Sequence, residues 1–149
     1  MNNASRPTAK PYWLLLNVGV KVYATGVPTS DFELIDTDAT GLVTPKQLNL
    51  STVKQRVLVV FTLEDSLGLL FPDDPQEAIG IAHTAATCPT APSNSTAGMF
   101  MREGISMNRR RLAVMNQNPG SGHHYLFALF LVDASGAIVA VCDPKIINN

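Results

Sequence analysis

The sequence predicts an all-β protein: a two-layer antiparallel β-sandwich of immunoglobulin-like or Greek-key type with seven or more strands. Short apolar runs recur along the chain, and turn residues separate them about every ten positions. No segment carries a sustained helical period of apolar residues. Residues 133–136, Asp-Ala-Ser-Gly, suit a type I turn followed by a left-handed residue, which is a common way to close a β-hairpin.

The first predicted strand covers residues 13–22. Its second half alternates, with Val18, Val20 and Val22 on one face and polar or small residues on the other. That alternation is typical of a strand with one buried face. We therefore expect this strand to lie in one of the two sheets, with its valines in the core.

The later segments are assigned from β-branched and aromatic composition and from the turn residues between them. They are residues 32–35, the weak extended segments 42–43 and 48–50, the strong strand 56–63, the short segment 69–71, the segment 77–86, for which a strand is favoured over a helical turn, and the C-terminal runs 112–115, 125–132 and 137–141. An Asp/Gly-rich turn at 36–41 and the sequence Pro-Asp-Asp-Pro at 72–75 interrupt them.

A chain of 149 residues fits one domain. We predict a flexible arm at residues 1–11, a single sandwich domain at 12–149, and a mobile loop at about 85–98, where small and polar residues show no periodicity. The N-terminal residues lack a signal sequence, and no apolar run approaches the roughly 20 residues of a membrane helix. A net charge of −1 gives no sign of a nucleic-acid partner. We therefore expect a cytoplasmic protein with no membrane partner.

Two strands lack the alternation of an isolated sandwich. Residues 57–61 and 125–132 are apolar at positions that should face solvent, and only 15% of the chain is charged, against roughly 25% in typical domains. The long loop, the N-terminal arm or another subunit must cover the second face. We favour another subunit, and therefore predict a homo-oligomer that assembles through apolar strand faces.

The turn at 36–41 resembles the first half of a calcium-binding EF-hand loop. Asp36, Asp38 and Thr40 supply oxygen at positions 1, 3 and 5, and Gly41 stands at position 6. Gln47, however, occupies position 12, where a bidentate Glu should complete the shell. An ordinary turn between two strands is favoured, and a weak Ca²⁺ site at Asp36, Asp38 and Thr40 is the alternative.

Other residue groups suggest chemistry only weakly. His123 and His124 are adjacent, so on a strand they point to opposite faces and do not chelate one metal together. For Cys88 and Cys142, two reduced thiols are favoured over a disulfide, although the sequence leaves their pairing open. The basic run at 109–111 is interpreted as a solvated or edge-protecting stretch, with an anion site as the alternative. We assign no catalytic or cofactor-binding residues.

The C-terminal pattern consists of Tyr125-x-Phe-x-Leu-x-Leu-x-Asp-x-x-Gly136 followed by Asp143-Pro-Lys-Ile-Ile-Asn-Asn149. It resembles the ending of two groups of small bacterial proteins, the DP-EP group and the inclusion-body (PixA/AidA-like) group. The resemblance implies a β-sandwich without known catalytic residues and, for the second group, a tendency to self-associate.

Together these observations predict a non-enzymatic β-sandwich protein that acts through self-association or protein binding. The alternative is a ligand-binding module, for example a Ca²⁺-assisted sugar binder that uses the turn at 36–41 and neighbouring loops. An enzyme of unknown class is the third possibility, because no nucleophile, base or metal set converges in the sequence.

Overall fold

The computed structural model describes residues 13–26, 30–64, 67–83, 88–92, 99–120 and 122–149. Ten strands are described. In chain order they are β1 (Trp13–Ala24), β2 (Asp31–Asp36), β3 (Val43–Thr44), β4 (Gln47–Asn49), β5 (Arg56–Leu63), β6 (Ile79–His83), β7 (Phe100–Ile105), β8 (Arg111–Asn116), β9 (His124–Val132) and β10 (Ile138–Ile147). The predicted arm and most of the predicted loop at 85–98 lie outside the described residues.

The strands form two five-stranded sheets, which confirms the all-β sandwich. Sheet A has the order β2-β1-β5-β8-β7, and sheet B has the order β3-β4-β10-β9-β6. The antiparallel prediction is wrong for two pairs, because β1 runs parallel to β5 and β4 runs parallel to β10. Between β1 and β5 the chain crosses to sheet B, where it forms β3 and β4. Such a crossover connection allows β5 to enter sheet A in the same direction as β1.

The core lies between the two sheets and follows the predicted alternation. In β1 the side chains of Leu16, Val18, Val20 and Val22 are buried, and in β5 every second residue is buried in the same way. Burying an aliphatic or aromatic side chain of this size contributes about 1.5–3 kcal/mol. The inward-facing residues of β9 supply the opposite half of this core.

The β9–β10 hairpin turns as predicted. Gly136 has a φ of 85°, and its N–H donates to the Asp133 carbonyl at 3.0 Å. Asp133 Oδ1 accepts hydrogen bonds from the Ser135 hydroxyl, the Ser135 N–H and the Ala137 N–H. The Ser135 hydroxyl, followed by the Ala137 N–H, holds the pKa of Asp133 below its ordinary value.

The sequence alone did not fully assign the two strands between β5 and β8. The ambiguous segment 77–86 contains the favoured strand, β6, which follows a single 3-10 turn at Pro75–Glu77. Strand β7 was not predicted, since a β-bulge between Arg102 and Gly104 breaks the alternation of its side chains. In the described residues, no helix is long and apolar enough to span a membrane.

Candidate functional site

The outer face of sheet B is covered by the chain itself. Ala128 and Phe130 point outward from β9 and yet are buried. The segment 88–92 lies over this face, because a Cβ at Gly80 would come within 2.6 Å of the Ala91 carbonyl oxygen and 3.3 Å of the Phe130 ring. Of the three covers that the sequence left open, the long loop is the one found over these residues.

A disulfide fastens this cover. Cys88 is disulfide-bonded, and no cysteine is free among the described residues. The chain has only one other cysteine, Cys142, whose backbone pairs with Ala128 in sheet B. The prediction of two reduced thiols is therefore wrong. Two cysteines far apart in a sequence carry no signal of their pairing.

The outer face of sheet A has a different character. A row of four apolar side chains crosses four adjacent strands: Leu15 of β1 pairs with Leu58 of β5, Leu58 with Met115 of β8, and Met115 with Met101 of β7. Leu15 is 46% exposed and Met101 is 43% exposed, whereas Leu58 and Met115 are half-buried. We call these four residues the apolar row.

The apolar row is part of a larger apolar half-face. Trp13, which is 42% exposed, lies on one side of it on β1, and the half-buried Val60 and Ala113 lie on its other side on β5 and β8. Contiguous exposed apolar surface of this kind is uncommon on monomeric soluble proteins and marks sites of interaction.

Polar residues of both signs occupy the other half of the same face. Lys21 pairs with Glu33 across β1 and β2, and Arg111 lies on β8. The Glu64 carboxylate lies over Gly19, where a Cβ would collide with it. The outer face of sheet A is thus divided along its strands into a largely apolar half, with the exposed Arg56 beside Trp13 at its end, and a polar half without a dominant charge.

The carboxylates of the predicted Ca²⁺ site accept hydrogen bonds from the protein itself. Asp36 accepts hydrogen bonds from the Thr40 N–H, the Thr40 hydroxyl and the Gly41 N–H at 2.7–2.9 Å, and Asp38 accepts one from the Asn17 amide. Partial burial by itself raises the pKa of Asp36, but the hydrogen bonds from Thr40 and Gly41 outweigh it, so that the pKa lies below 3.8. The described residues contain no group of three or more His, Cys, Asp or Glu that could hold a metal.

The basic run at 109–111 has a largely structural role. The Arg110 guanidinium donates to the backbone carbonyls of Leu63 and Leu69 at 2.9 and 2.7 Å. Arg109 donates to the backbone carbonyl of Phe71, between β5 and β6. These hydrogen bonds hold the segment that follows β5. Only Arg111 fits the predicted solvated role, because it is exposed on the outer face of sheet A.

The structure brings together two histidines that the sequence did not connect. The rings of His83 and His123 lie 4.5 Å apart, centroid to centroid, and both side chains are exposed. His83 also contacts the ring of Tyr125, which it opposes in the β6–β9 ladder. Their separation in the sequence hides this pair, and only the ladder register reveals it.

Buried asparagines form a polar cluster that sequence reasoning missed. The amides of Asn116 and Asn148 hydrogen-bond each other at 2.7 and 3.0 Å, and both residues are 0–1% exposed. Asn118 donates to the Val53 carbonyl and accepts from the Asn149 N–H. The cluster therefore joins the end of β8 to the end of β10.

A polar cleft of about 560 Å³ lies beside this cluster. Its lining residues are Lys54, Gln55, Arg56, Gln117, Asn118, Pro119, Gly120 and Asn149. The buried Asn118 supports the cleft from within, whereas Lys54 and Arg56 are exposed at its surface. In the described part of the chain, neither of these two cations forms an ion pair.

Comparison of the chain with protein-family models, with curated proteins and with solved structures gives no match. The resemblance to the DP-EP and inclusion-body groups stays a prediction.

Proposed function

We propose that the protein acts by self-association, and that a second copy of the chain packs on the outer face of sheet A. The observation that carries this proposal is the apolar row. Exposing large apolar side chains such as Leu15 and Met101 to water is unfavourable by about 25 cal/mol for each Å² of apolar surface. A partner that covers the row removes this surface from water.

The order of residues in the apolar row supports a second copy as the partner. Two leucines stand on β1 and β5, and two methionines stand on β8 and β7. A two-fold axis parallel to the strands, between β5 and β8, would place Leu15 against Met101 of the second copy and Leu58 against Met115. Such an interface is isologous, as in most homodimers, and adaptable methionines fill its gaps well.

The polar half of the face fits the same arrangement. The rotation that superimposes the apolar rows also brings Glu64, next to the end of β5, towards Arg111 of the second copy on β8. Opposite charges at the rim would fix the orientation of the two copies. A partner of strong single-sign charge has no comparable counterpart here, since Lys21 and Glu33 are adjacent.

Sedimentation velocity over a hundredfold range of concentration tests the proposal. Wild-type protein is expected to sediment as a species well above 16.0 kDa. Leu15→Glu places a charge in the apolar row and is expected to give a monomer. Ile138→Glu is the matched control, because Ile138 is also an exposed strand residue, at 62%, but lies in sheet B. A monomeric wild type, or equal effects of both substitutions, would refute self-association through this face.

A second candidate function is the binding of a small anionic ligand in the polar cleft. The supporting observation is the pair of cations Lys54 and Arg56, which form no ion pair with any described residue, at the rim of a cavity within the usual size range of ligand sites. A thermal-shift screen of sugar phosphates and sugar acids tests this function. Arg56→Ala should abolish a ligand-induced shift, whereas Arg111→Ala, on the same sheet outside the cleft, should preserve it.

A further inference from the structure

The exposed rings of His83 and His123 are in edge-to-face contact, with their planes at 84°, and lie close enough to share one metal ion after a small rearrangement. Their ring centroids are 4.5 Å apart. Two imidazoles that share one zinc ion at about 2.0–2.1 Å from each nitrogen have centroids roughly 5 Å apart. The observed spacing is close to this value, and small rotations about the Cα–Cβ and Cβ–Cγ bonds of the exposed side chains would bring the rings to it and aim a nitrogen of each at the ion.

Buried neighbours position both histidines. His83 is the last residue of β6 and packs edge-on against Tyr125, with centroids 5.3 Å apart; Tyr125 in turn packs against Phe100 of sheet A. The backbone carbonyl of His123 accepts a hydrogen bond from the N–H of the buried Asn148. Both imidazoles are therefore presented by ordered backbone, and ligands that are positioned before binding lose less conformational entropy when a metal binds.

His124 does not belong to the pair. Successive strand residues point to opposite faces, so His123 shares the face of Tyr125 and His83, while His124 points to the other face of β9. The two adjacent histidines therefore do not present their imidazoles on the same face. The histidine that pairs with His123 comes instead from β6, the neighbouring strand.

The geometry points to a site for one divalent transition-metal ion, held by the imidazoles of His83 and His123. Imidazole nitrogen suits Zn²⁺, Cu²⁺ and Ni²⁺, and Cu²⁺ should bind most tightly of the three. The two imidazoles supply two ligands, and we expect water to occupy the remaining positions of the coordination shell. Mg²⁺ and Ca²⁺, which prefer oxygen ligands, do not bind there.

Titration calorimetry of tag-free protein with ZnCl₂ and CuCl₂ tests the site. We expect one ion per chain at this site. His123→Ala and His83→Phe should each weaken binding on the order of a hundredfold, because one imidazole alone loses the effective concentration that the other provides. The Phe ring preserves the packing on Tyr125, so that lost binding is separated from lost folding.

His124→Ala is the matched control, since it removes an exposed imidazole next to the site without removing a ligand. Binding that is unchanged in this variant and lost in the other two supports the His83–His123 site. Three results would overturn it: no binding by the wild type at millimolar Zn²⁺, unchanged binding in His83→Phe, or an equal loss in His124→Ala. Circular dichroism of each variant confirms that it is folded.

Discussion

The Asp36 carboxylate lies in a sequence pattern that fits either a calcium ligand or a hydrogen-bond acceptor within a turn. The spacing of Asp36, Asp38 and Thr40 is that of calcium ligands, but the structure directs the Asp36 oxygens to donors of the same turn. Ala39 and Gly41 have positive φ values of 52° and 78°, which turn the Thr40 and Gly41 N–H groups towards the carboxylate. Asp36 is therefore a turn anchor.

Replacing Asp36 by Asn should lower the free energy of unfolding by about 1 kcal/mol at pH 7, since the hydrogen bonds to a charged acceptor are weakened. The pKa of Asp36 is lowered in the folded protein, so its contribution is complete above the ordinary value of 3.8 and is lost as the pH falls through the folded value. The free energies of unfolding of wild type and Asp36→Asn should therefore differ at pH 7 and approach each other below pH 3. Urea denaturation of both proteins at the two pH values measures this difference.

The control for this prediction is Asp38→Asn, because Asp38 accepts a single hydrogen bond, from the Asn17 amide. It should destabilise less than Asp36→Asn. A difference between wild type and Asp36→Asn that is the same at both pH values would contradict the anchoring role, and a thermal shift with millimolar Ca²⁺ that disappears in Asp36→Ala would restore the calcium site.

The Asn116–Asn148 pair is a second feature at the scale of single residues. Two buried amides satisfy each other, so removing one leaves the other without its partner in the core. Asn116→Ala should cost roughly 2 kcal/mol of unfolding free energy. The double variant with Asn148→Ala should cost less than the sum of the two single variants, with a coupling of about 1–2 kcal/mol. Additive urea-denaturation energies would show that the two amides act independently.

At the scale of elements, the cover over sheet B depends on a close approach between the segment 88–92 and β6. Gly80 allows this approach, because any Cβ there would press on the Ala91 carbonyl and on Pro89. Neither the glycine nor the loop composition predicts the contact by itself. It follows only from the register that places Gly80 opposite the outward-facing Ala128.

Gly80→Ala should therefore destabilise the protein by about 1–3 kcal/mol, the usual cost of overpacking. Gly104→Ala is the matched control: it also lies in a strand, has no positive φ, and its added methyl would meet no atom within 4 Å. That substitution should be neutral or stabilising by up to about 1 kcal/mol. Thermal denaturation of both variants is the measurement, and similar losses in both would remove the packing argument.

The disulfide is the covalent part of the same cover. Cys88→Ser should lower the free energy of unfolding by roughly 2–4 kcal/mol, because the bond restricts the unfolded chain over a long loop. The same loss should appear when the wild type is unfolded in dithiothreitol, whereas the Cys88→Ser variant should not respond to the reductant. A variant that responds as strongly as the wild type would contradict this assignment.

At the scale of the molecule, the structural features that the sequence predicted are those determined by residues close together along the chain. The alternation in 13–22, the β-branched strand 56–63 and the turn at 133–136 are local patterns, and the structure confirms them. The parallel pairs, the cover and the His83–His123 contact depend on which distant strands become neighbours. Long-range pairing of this kind leaves no periodic signal in one sequence.

The apolar outward residues of β5 and β9 look alike in the sequence, but they have different surroundings in the structure. Outward residues of β9 are buried under the chain's own cover, whereas those of β5 remain half-exposed beside Leu15 and Met101. The chain's own cover therefore explains only part of its low fraction of charged residues. The outer face of sheet A is the surface on which we propose that a second copy packs.

If association through this face contributes to folding stability, the melting temperature depends on protein concentration by mass action. For a dimer of chains of this length, each tenfold increase in concentration should raise it by about 2 °C. Calorimetry across two decades of concentration measures the slope. Leu15→Glu should abolish the slope, because the monomer has no association equilibrium, and Ile138→Glu should retain it. A wild-type melting temperature that is independent of concentration would mean that the apolar row contributes nothing to stability through a second copy.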